Sequence, residues 1–437
     1  MKKVITFEAN IKALFDKRII EQVLAEQQLE LANLSSKALC SRPEEQLVEL
    51  DSDMAQVVIG VRRCGKSTLC YNVLKENGEL FAYANFDDER FEEMTSKDLN
   101  TVLEVLYKMY GDFKLLFLDE IQNVDGWHLF VNRILRQGMR VILTGSNAKL
   151  LSGELATHLT GRHDKIELFP FSFADYCKCK KIDMTSPTTK AEAFRRRAFD
   201  EYLRQGGFPE LLHKKNKKGY VSNLVDNILK RDIEQRHKIK YIRAFEQLAN
   251  HLLNISPAVV VEKDLARLFA LKSHHTVDNY IGYLKEAYLL AGLQKYSTKS
   301  KLRVRDEKVY PIDVALMDGR EDAMVGENLG WRLETIVFIE LIRRNKPLAR
   351  DVYYFKNDDG YEADFVVCKG DKVEEVYQVS YDLTKEKTRA REIRGLLTAS
   401  KHTRCDNLFL ITDVERSEFE QEGKLIKIIP AYEWLIQ

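Results

Sequence analysis

The sequence has 437 residues, with 68 Lys and Arg against 67 Asp and Glu, so its formal net charge at pH 7 is +1. A chain of this length exceeds what one hydrophobic core organises, which predicts about two to four domains. The balanced charge excludes an overall field that attracts nucleic acid, so affinity of that kind would have to come from local patches.

Membrane insertion and secretion are not expected from this sequence. Residues 1–6 carry no apolar segment of the kind that precedes a cleavage site, and no uninterrupted apolar run approaches the length of a membrane span. The seven cysteines form no CxxC pair. We therefore expect a cytoplasmic protein with free thiols and no membrane partner.

The first part of the chain predicts a helical segment followed by a parallel α/β core. Residues 1–50 form the helical segment, because an amphipathic pattern runs from residue 10 to about residue 34. From residue 51 to residue 170 strand and helix signals alternate, as a parallel sheet requires. The predicted strands are short apolar runs that suit burial on both faces, at residues 56–59, 80–86, 114–118, 140–143 and 165–168.

A phosphate-binding motif follows the first predicted strand. Residues 60–67 read G-x-x-x-x-G-K-S and precede a helix-compatible stretch, which is the strand–loop–helix context of a P-loop. Backbone N–H groups of such a loop curl around phosphate oxygens, and the helix N-terminus adds partial positive charge. Lys66 would reach the β- and γ-phosphates of ATP, and Ser67 would ligate Mg²⁺. The expected nucleotide-binding residues are Gly60, Val61, Arg62, Arg63, Cys64, Gly65, Lys66, Ser67 and Thr68.

An acidic pair ends the third predicted strand, which reads K-L-L-F-L-D-E over residues 114–120. Such an apolar strand with a terminal acidic pair is typical of a Walker B motif. Asp119 would hold Mg²⁺, and Glu120 would orient and activate the attacking water. Because the carboxyl ends of parallel strands meet at one edge of a sheet, this pair and the P-loop should lie close together.

Two further polar residues are candidates for the same site. Asn147 follows the fourth predicted strand, where its amide would position the lytic water or contact the γ-phosphate; a simple turn at the strand end is the alternative. Arg162 precedes the fifth strand, where a guanidinium would neutralise charge on the γ-phosphoryl oxygens. A surface arginine is the alternative at that position.

The motifs in chain order resemble a known family of prokaryotic ATPases. They read GVRRCGKSTL, ANFDDERF, FLDEIQNVDGW, ILTGSNAKLL and LTGRHDKIELFPFSF. This set is similar to the AAA-superfamily ATPases that are fused to a C-terminal domain of unknown function. The resemblance covers essentially the whole chain. It implies an AAA-type P-loop ATPase core over residues 51–170, with Asn147 in the sensor position and Arg162 in an arginine-finger-like position, acting in cis or, in a homo-oligomer, in trans. It also implies a helical lid over residues 171–239.

Residues 240–325 predict a winged-helix domain. Three short helices, at residues 245–254, 262–269 and 273–286, have helix-turn-helix spacing and precede two strand-like runs. The loop between those runs is basic and would contact nucleic acid through phosphates. A protein-packing module is the alternative. The basic residues are Lys299, Lys301, Arg303 and Arg305.

Residues 326–437 predict a restriction-endonuclease-like α/β domain, because their α-β-β-β-α-β order is that of the PD-(D/E)xK nuclease core, and the resemblance implies the same. Such nucleases need a helix carboxylate, a strand Asp, and Glu-x-Lys on the next strand. Glu334 and Asp364 fit the first two positions. The third reads Gln378 and Ser380, which supply neither a charged metal ligand nor an ammonium. We expect a decayed nuclease fold kept for binding, in which Glu362 would offer a substitute carboxylate.

The sequence therefore favours a cytoplasmic ATPase switch that uses ATP and Mg²⁺ to move its lid and winged-helix domain. An ATP-gated nuclease is the first alternative, and it would use Glu334, Asp364 and a third group. A non-catalytic, ATP-bound signalling scaffold is the second alternative. DNA, RNA or a protein would be the partner.

Overall fold

A computed structural model describes residues 15–35, 39–146, 159, 161–297, 307–318 and 328–437. The chain divides into two compact units. The first comprises the described parts of residues 1–59, 66–145 and 149–167, and the second comprises those of residues 60–65, 146–148 and 168–437.

The first unit contains a five-stranded parallel sheet in the order β2-β3-β4-β1-β5. Every residue of β1 and β3 is buried, as their continuous apolar sequences require for central strands of a covered sheet. The strands are β1 (Ala55–Ile59), β2 (Phe81–Asn85), β3 (Leu115–Asp119), β4 (Arg140–Gly145) and β5 (His163–Glu167). The helices are α1 (Lys17–Ser35), α2 (Lys66–Asn77), α3 (Leu99–Tyr110) and α4 (Trp127–Arg136), with 3-10 turns at Pro43–Leu47, Glu89–Phe91 and Ile121–Asn123.

The expected parallel core is confirmed, and each of its predicted strands lies within two residues of an observed one. The sheet order places β1 between β4 and β5. After β1 the chain crosses to β2 at one edge, returns through β3 and β4, and then adds β5 on the other side of β1. That reversal of direction at the carboxyl end of a strand is where open α/β sheets bind ligands. The N-terminal helix begins at Lys17; residues 10–14 of its predicted span lie outside the described residues.

The helical start of the second unit contains helices whose first turns are capped by polar side chains. A capping box at Ser172 opens the first helix, and the Thr188 hydroxyl accepts a hydrogen bond at the start of the second, which ends at Gly206 with φ +76°. Within the segment that the resemblance implies to be helical, the chain changes from α-helix to π-helix at Ile228. These elements are α5 (Phe173–Cys179), α6 (Thr189–Gln205), α7 (Lys217–Asn227) and the π-helix Ile228–Glu234.

A small antiparallel sheet with the order β6-β8-β7 follows, with three helices before and between its strands. The helix-turn-helix spacing is retained, because α9 and α10 are separated by a short turn that contains Ala270 at φ +52°. The elements are α8 (Ile242–Ile255), β6 (Ala258–Val259), α9 (Glu262–Leu268), α10 (His274–Glu286), β7 (Leu290–Leu293), β8 (Lys308–Pro311) and α11 (Ala315–Asp318).

The C-terminal part of the second unit is a mixed six-stranded sheet in the order β13-β14-β12-β11-β10-β9. Its core is apolar and includes Val366, Val376, Leu396 and Leu410. The predicted α-β-β-β-α-β order is present, and two strands and a helix follow it. The elements are α12 (Leu329–Asn345), β9 (Asp351–Lys356), β10 (Glu362–Lys369), β11 (Lys372–Ser380), α13 (Glu386–Thr403), β12 (Leu408–Thr412), β13 (Ser417–Gln421), β14 (Lys424–Pro430) and α14 (Ala431–Trp434).

The cysteines differ in part from the expectation. Cys64, Cys70, Cys177, Cys368 and Cys405 are free and buried, as predicted. Neither Cys40 nor Cys179 is a free thiol, so the prediction of free thiols is wrong for these two. Within the parts of the chain that the structure describes, no helix is both long and apolar enough to cross a membrane.

Candidate functional site

The start of α2 places an ammonium and a hydroxyl against the acidic end of β3. The Ser67 hydroxyl donates a hydrogen bond to Oδ1 of Asp119 at 2.9 Å. Nζ of Lys66 lies 3.4 Å from Oε1 of Glu120. Lys66 and Asp119 are only 4% and 3% exposed. The start of α2 and the acidic end of β3 therefore meet in one buried polar cluster of the first unit.

Thr144, at the end of β4, holds both acids. Its hydroxyl hydrogen-bonds to Oδ1 of Asp119 and accepts the backbone N–H of Glu120 at 3.0 Å. The Tyr83 hydroxyl donates to the other Asp119 oxygen at 3.3 Å. Glu120 has the left-handed φ of +52°, a strained conformation that for non-glycine residues is concentrated at functional sites.

The Thr144 contacts were missed by sequence reasoning. The strand register carries the signal, because Leu118 of β3 aligns with Leu143 of β4, so the residues that follow them end side by side. A Thr at that point of the neighbouring strand can reach the acidic pair.

The electrostatics of this cluster favour a bound cation. Burial, and then the neighbouring Glu120 charge, raise the pKa of Asp119 to about 6, while Thr144, Ser67 and Lys66 act in the opposite direction. A hydroxyl and a carboxylate at hydrogen-bond distance are hard oxygen ligands of the kind that Mg²⁺ prefers. The donor set therefore fits Mg²⁺, which Ser67 and Asp119 would hold.

Residues 60–65 of the P-loop are packed within the second unit. A Cβ on Gly60 would lie 2.0 Å from the carbonyl oxygen of Leu168, so only glycine fits there. The Cys64 thiol donates to that same carbonyl at 3.4 Å. Gly65, at φ +100°, packs beside Pro209. The loop conformation is thus fixed by backbone contacts that larger residues would block.

Acidic residues from the helical start of the second unit form ion pairs with the two arginines of the P-loop. Nη1 of Arg63 lies 2.7 Å from a Glu210 carboxylate oxygen. Nη1 of Arg62 lies 3.7 Å from Oδ1 of Asp232, a buried residue of the π-helix, which Arg236 also approaches at 3.7 Å. π-Helical turns are frequent at functional sites. Neither acid was identified from the sequence, where nothing local marks a partner of the P-loop.

The remaining predicted residues of the ATPase core are placed only in part. Arg162 is exposed just before β5, and its carbonyl accepts the Ala55 N–H at 3.1 Å. Asn147 lies outside the described residues, and so does the whole basic wing loop, Lys299, Lys301, Arg303 and Arg305.

In the C-terminal domain the structure brings Asp364 and Gln378 together but turns Ser380 elsewhere. The Asp364 N–H donates to Oε1 of Gln378 at 3.2 Å, and a carboxylate oxygen of Asp364 accepts the Val379 N–H at 2.8 Å. The Ser380 hydroxyl donates to the Asp382 carbonyl at 3.3 Å. Burial, and then the charge of Glu334, raise the pKa of Asp364 well above its usual range.

Two charged residues that the sequence did not single out complete this group. Glu392 of α13 is buried and accepts a hydrogen bond from Nε2 of Gln378 at 2.6 Å. Lys308 of β8 hydrogen-bonds to Glu362 and lies 3.8 Å from Glu334. Lys308 precedes the C-terminal domain in the chain, so no local pattern connects it to these carboxylates.

Comparison with known families divides the chain into three parts. An AAA domain matches residues 52–177, a domain of unknown function (DUF8612) matches residues 196–320, and a second one (DUF4143) matches residues 329–434.

Two relatives match over nearly their full lengths. An uncharacterized protein of Methanocaldococcus jannaschii is 33% identical over 441 residues, covering 97% of this chain and 97% of that protein. An uncharacterized protein of Haemophilus influenzae is 32% identical over 426 residues, covering 92% of this chain and 100% of that protein. Among solved structures, the RuvB Holliday junction branch migration motor of Thermotoga maritima is 16% identical, and the match covers 62% of this chain and 93% of that one. Its TM-score of 0.28 is too low to support any argument.

Proposed function

From the premise that the chain belongs to the family of its full-length archaeal and bacterial relatives and carries an AAA domain, we propose that it is a Mg²⁺-dependent ATPase that acts as a switch. Nucleotide binding would set the conformation of the helical lid, residues 171–239, that follows the core. The observation that carries the proposal is the buried cluster of Lys66, Ser67, Asp119 and Glu120.

Each residue of that cluster has a role that its chemistry supports. The Lys66 ammonium, now beside Glu120, would bind phosphate oxygens. Ser67 and Asp119 would hold Mg²⁺, which supplies charge stabilisation when bound. Glu120 would take the proton of the attacking water, and Thr144 would keep its backbone in position. The glycine-bounded loop at residues 60–65 would cradle the phosphates.

The P-loop arginines would couple nucleotide binding to the helical lid. Arg62 contacts Asp232 of the π-helix, and Arg63 contacts Glu210 in the turn between α6 and α7. Phosphates that approach the loop compete with these carboxylates for the same guanidinium groups. Arg162 is exposed and would serve best as a finger toward a second copy of the chain, whereas the role of Asn147 as a sensor stays a prediction.

ATP turnover tests this proposal directly. Hydrolysis should be measured with purified protein alone and with DNA, RNA or cell extract, in Mg²⁺ and in EDTA. We expect Mg²⁺-dependent hydrolysis that one of the additions stimulates. ATP binding without hydrolysis under all of these conditions would refute the ATPase proposal and favour the non-catalytic scaffold.

The three helices and the β6-β8-β7 sheet support a winged-helix domain between the lid and the C-terminal domain. We assign to it contact with nucleic acid through the basic wing loop. A protein partner is the other outcome of the test, and absence of DNA or RNA binding at ~50 mM salt, where phosphate contacts are strong, would favour it.

The C-terminal domain is proposed to bind without cutting. Its element order supports a nuclease-like core. However, the Gln378 amide hydrogen-bonds to the Asp364 N–H and to Glu392, and the Ser380 hydroxyl donates to the Asp382 carbonyl. Positions 378 and 380 of β11 therefore supply neither the charged ligand nor the ammonium that a nuclease of this fold would carry there.

An ATP-gated nuclease is the second candidate, favoured by one observation: Glu392 places a carboxylate beside Gln378, where the expected ligand is missing. Incubation with supercoiled, linear and single-stranded DNA and with RNA, in Mg²⁺ or Mn²⁺ and with or without ATP, decides between the two. We expect no cleavage. Cleavage that disappears in Asp364→Ala would establish the nuclease, whereas cleavage that survives that substitution would come from a contaminant.

A further inference from the structure

Lys308 is a buried cation at the start of β8. Its side chain is 10% exposed, although lysine is a residue that is rarely buried without a charged partner. Burial lowers the pKa of Lys308, but the charges of Glu334, Asp364 and Glu362 outweigh it and the net shift is upward. The ammonium is therefore charged, and the surrounding groups must compensate for its lost hydration.

Three groups enclose this ammonium. It hydrogen-bonds to Oε1 of Glu362, lies 3.8 Å from Oε1 of Glu334, and stands 5.1 Å from the centroid of the Tyr354 ring. The Tyr310 hydroxyl donates to that same Glu334 oxygen at 2.8 Å and fixes the carboxylate. Two carboxylates and an aromatic face are the surroundings that recognise an alkylammonium.

The charge of the carboxylate cluster explains why a cation is held there. Glu334, Glu362, Asp364 and Glu392 lie together, and burial raises the pKa of Glu334, an effect that Lys308 and Tyr310 offset only in part. The cations at the rim are more exposed: Lys356 approaches Glu362 at 3.4 Å with 44% of its side chain exposed, and Arg391 contacts Glu392 with 75% exposed. Of the cations in contact with the cluster in the described chain, Lys308 is the deeply buried one.

We propose that the carboxylates Glu334 and Glu362 form an ammonium-binding site whose resident ligand is Lys308, in the place where a nuclease of this fold would hold a metal ion. The site joins the small β6-β8-β7 sheet to the C-terminal domain. It rests on the proposed non-cutting role of that domain and explains it, since the ammonium occupies the cation position.

Main-chain pairing places this site at a fixed joint. The Tyr296 N–H donates to the Tyr354 carbonyl at 2.7 Å, and the Tyr354 N–H donates to the Gln294 carbonyl at 3.0 Å. The residues after β7 thereby pair with β9 at Tyr354, whose ring faces the Lys308 ammonium. These main-chain hydrogen bonds and the Lys308 ion pairs therefore join the small β6-β8-β7 sheet to the C-terminal domain at two neighbouring places.

Chemical rescue tests the ligand class. Lys308→Ala should lower the melting temperature by about 10 °C, because it leaves buried carboxylates without their partner. Propylammonium restores the deleted atoms and should recover part of that loss, whereas tetramethylammonium and Mg²⁺ should not. Lys356→Ala is the matched control, since it removes an exposed cation from the same Glu362, and we expect a shift of less than about 2 °C.

Amine labelling of the unmodified protein gives a second measurement that does not depend on folding of a variant. Competitive acetylation read by mass spectrometry should modify Lys308 about tenfold more slowly than Lys356, because only the neutral amine reacts and the adjoining carboxylates favour the charged form of the buried Lys308. In Glu362→Gln the Lys308 rate should rise.

Three results would overturn the ammonium site: equal labelling of the two lysines, rescue of Lys308→Ala by Mg²⁺ at least as well as by propylammonium, or an unchanged melting temperature in Lys308→Ala. The cleavage assay tests the non-cutting role independently of the ammonium site. Cleavage by the parent would refute the non-cutting role, whereas equal labelling would refute the site and leave the absence of cleavage standing.

Discussion

Thr144→Val removes the hydroxyl that organises the acidic end of β3 while keeping a side chain of similar shape. In the parent this hydroxyl hydrogen-bonds to Asp119 and accepts the Glu120 N–H at 3.0 Å. The substitution takes a donor from a buried carboxylate and an acceptor from a buried N–H at once. We expect a folded protein in which both acids are less firmly positioned.

The magnitude follows from what the hydroxyl contacts. A hydrogen bond to a charged group contributes about 1.5–3 kcal/mol, and each ~1.4 kcal/mol of lost transition-state stabilisation lowers a rate tenfold. ATP hydrolysis in Thr144→Val should therefore fall about 10- to 100-fold. The unpaired Glu120 N–H should also cost about 1–3 kcal/mol of folding stability.

Single-turnover hydrolysis of radiolabelled ATP measures the rate, and a fluorescent ATP analogue measures binding separately. Thr144→Ser keeps the hydroxyl and should retain most activity. Thr95→Val removes a hydroxyl bond of the same kind, to Asp98 at 2.8 Å, elsewhere in the first unit, and should leave the rate unchanged. Parent-like hydrolysis by Thr144→Val, or an equal loss in Thr95→Val, would show that the hydroxyl has no particular role in catalysis.

Three further predictions concern the same proposal. Lys66→Ala should remove detectable ATP binding from a folded protein, because the phosphates lose their cation; unchanged affinity for the fluorescent analogue would contradict this. Glu120→Gln should bind ATP but hydrolyse it roughly 10²-fold more slowly, whereas Asp119→Asn should weaken the Mg²⁺-dependent part of binding; hydrolysis at the parent rate by Glu120→Gln would disprove the Walker B assignment. Alanine at all four wing positions should weaken DNA binding for every sequence and reduce the salt slope by about one unit per lost phosphate contact; an unchanged slope would exclude the loop. The wing positions are Lys299, Lys301, Arg303 and Arg305.

The parallel core was predictable because its signals are local. Each central strand is a short apolar run, and the glycine-bounded loop and the acidic pair stand directly after two of them. Parallel strands gather their carboxyl ends at one edge, so chain order alone was enough to expect Lys66 near Glu120.

The interactions that could not be predicted join residues far apart in sequence. Lys308 meets Glu362 across 54 positions, and Arg62 meets Asp232 between segments that share no local pattern. The β13–β14 hairpin was missed for another reason. Its turn residues Glu422 and Gly423 have φ of +52° and +71°, but its first strand is so polar that no apolar alternation marks it.

The edges of the six-stranded sheet bear on how the protein behaves at high concentration. Open strand edges recruit strands of other molecules and begin aggregates. Here β9 is covered over part of its length by the main chain at Tyr296, and β13 presents Glu418 and Glu420 in a largely exposed strand. A second molecule that added to β13 in register would bring like charges together. We therefore expect this domain to resist fibril formation, and Glu418→Val with Glu420→Val to weaken that resistance without altering the interior of the sheet.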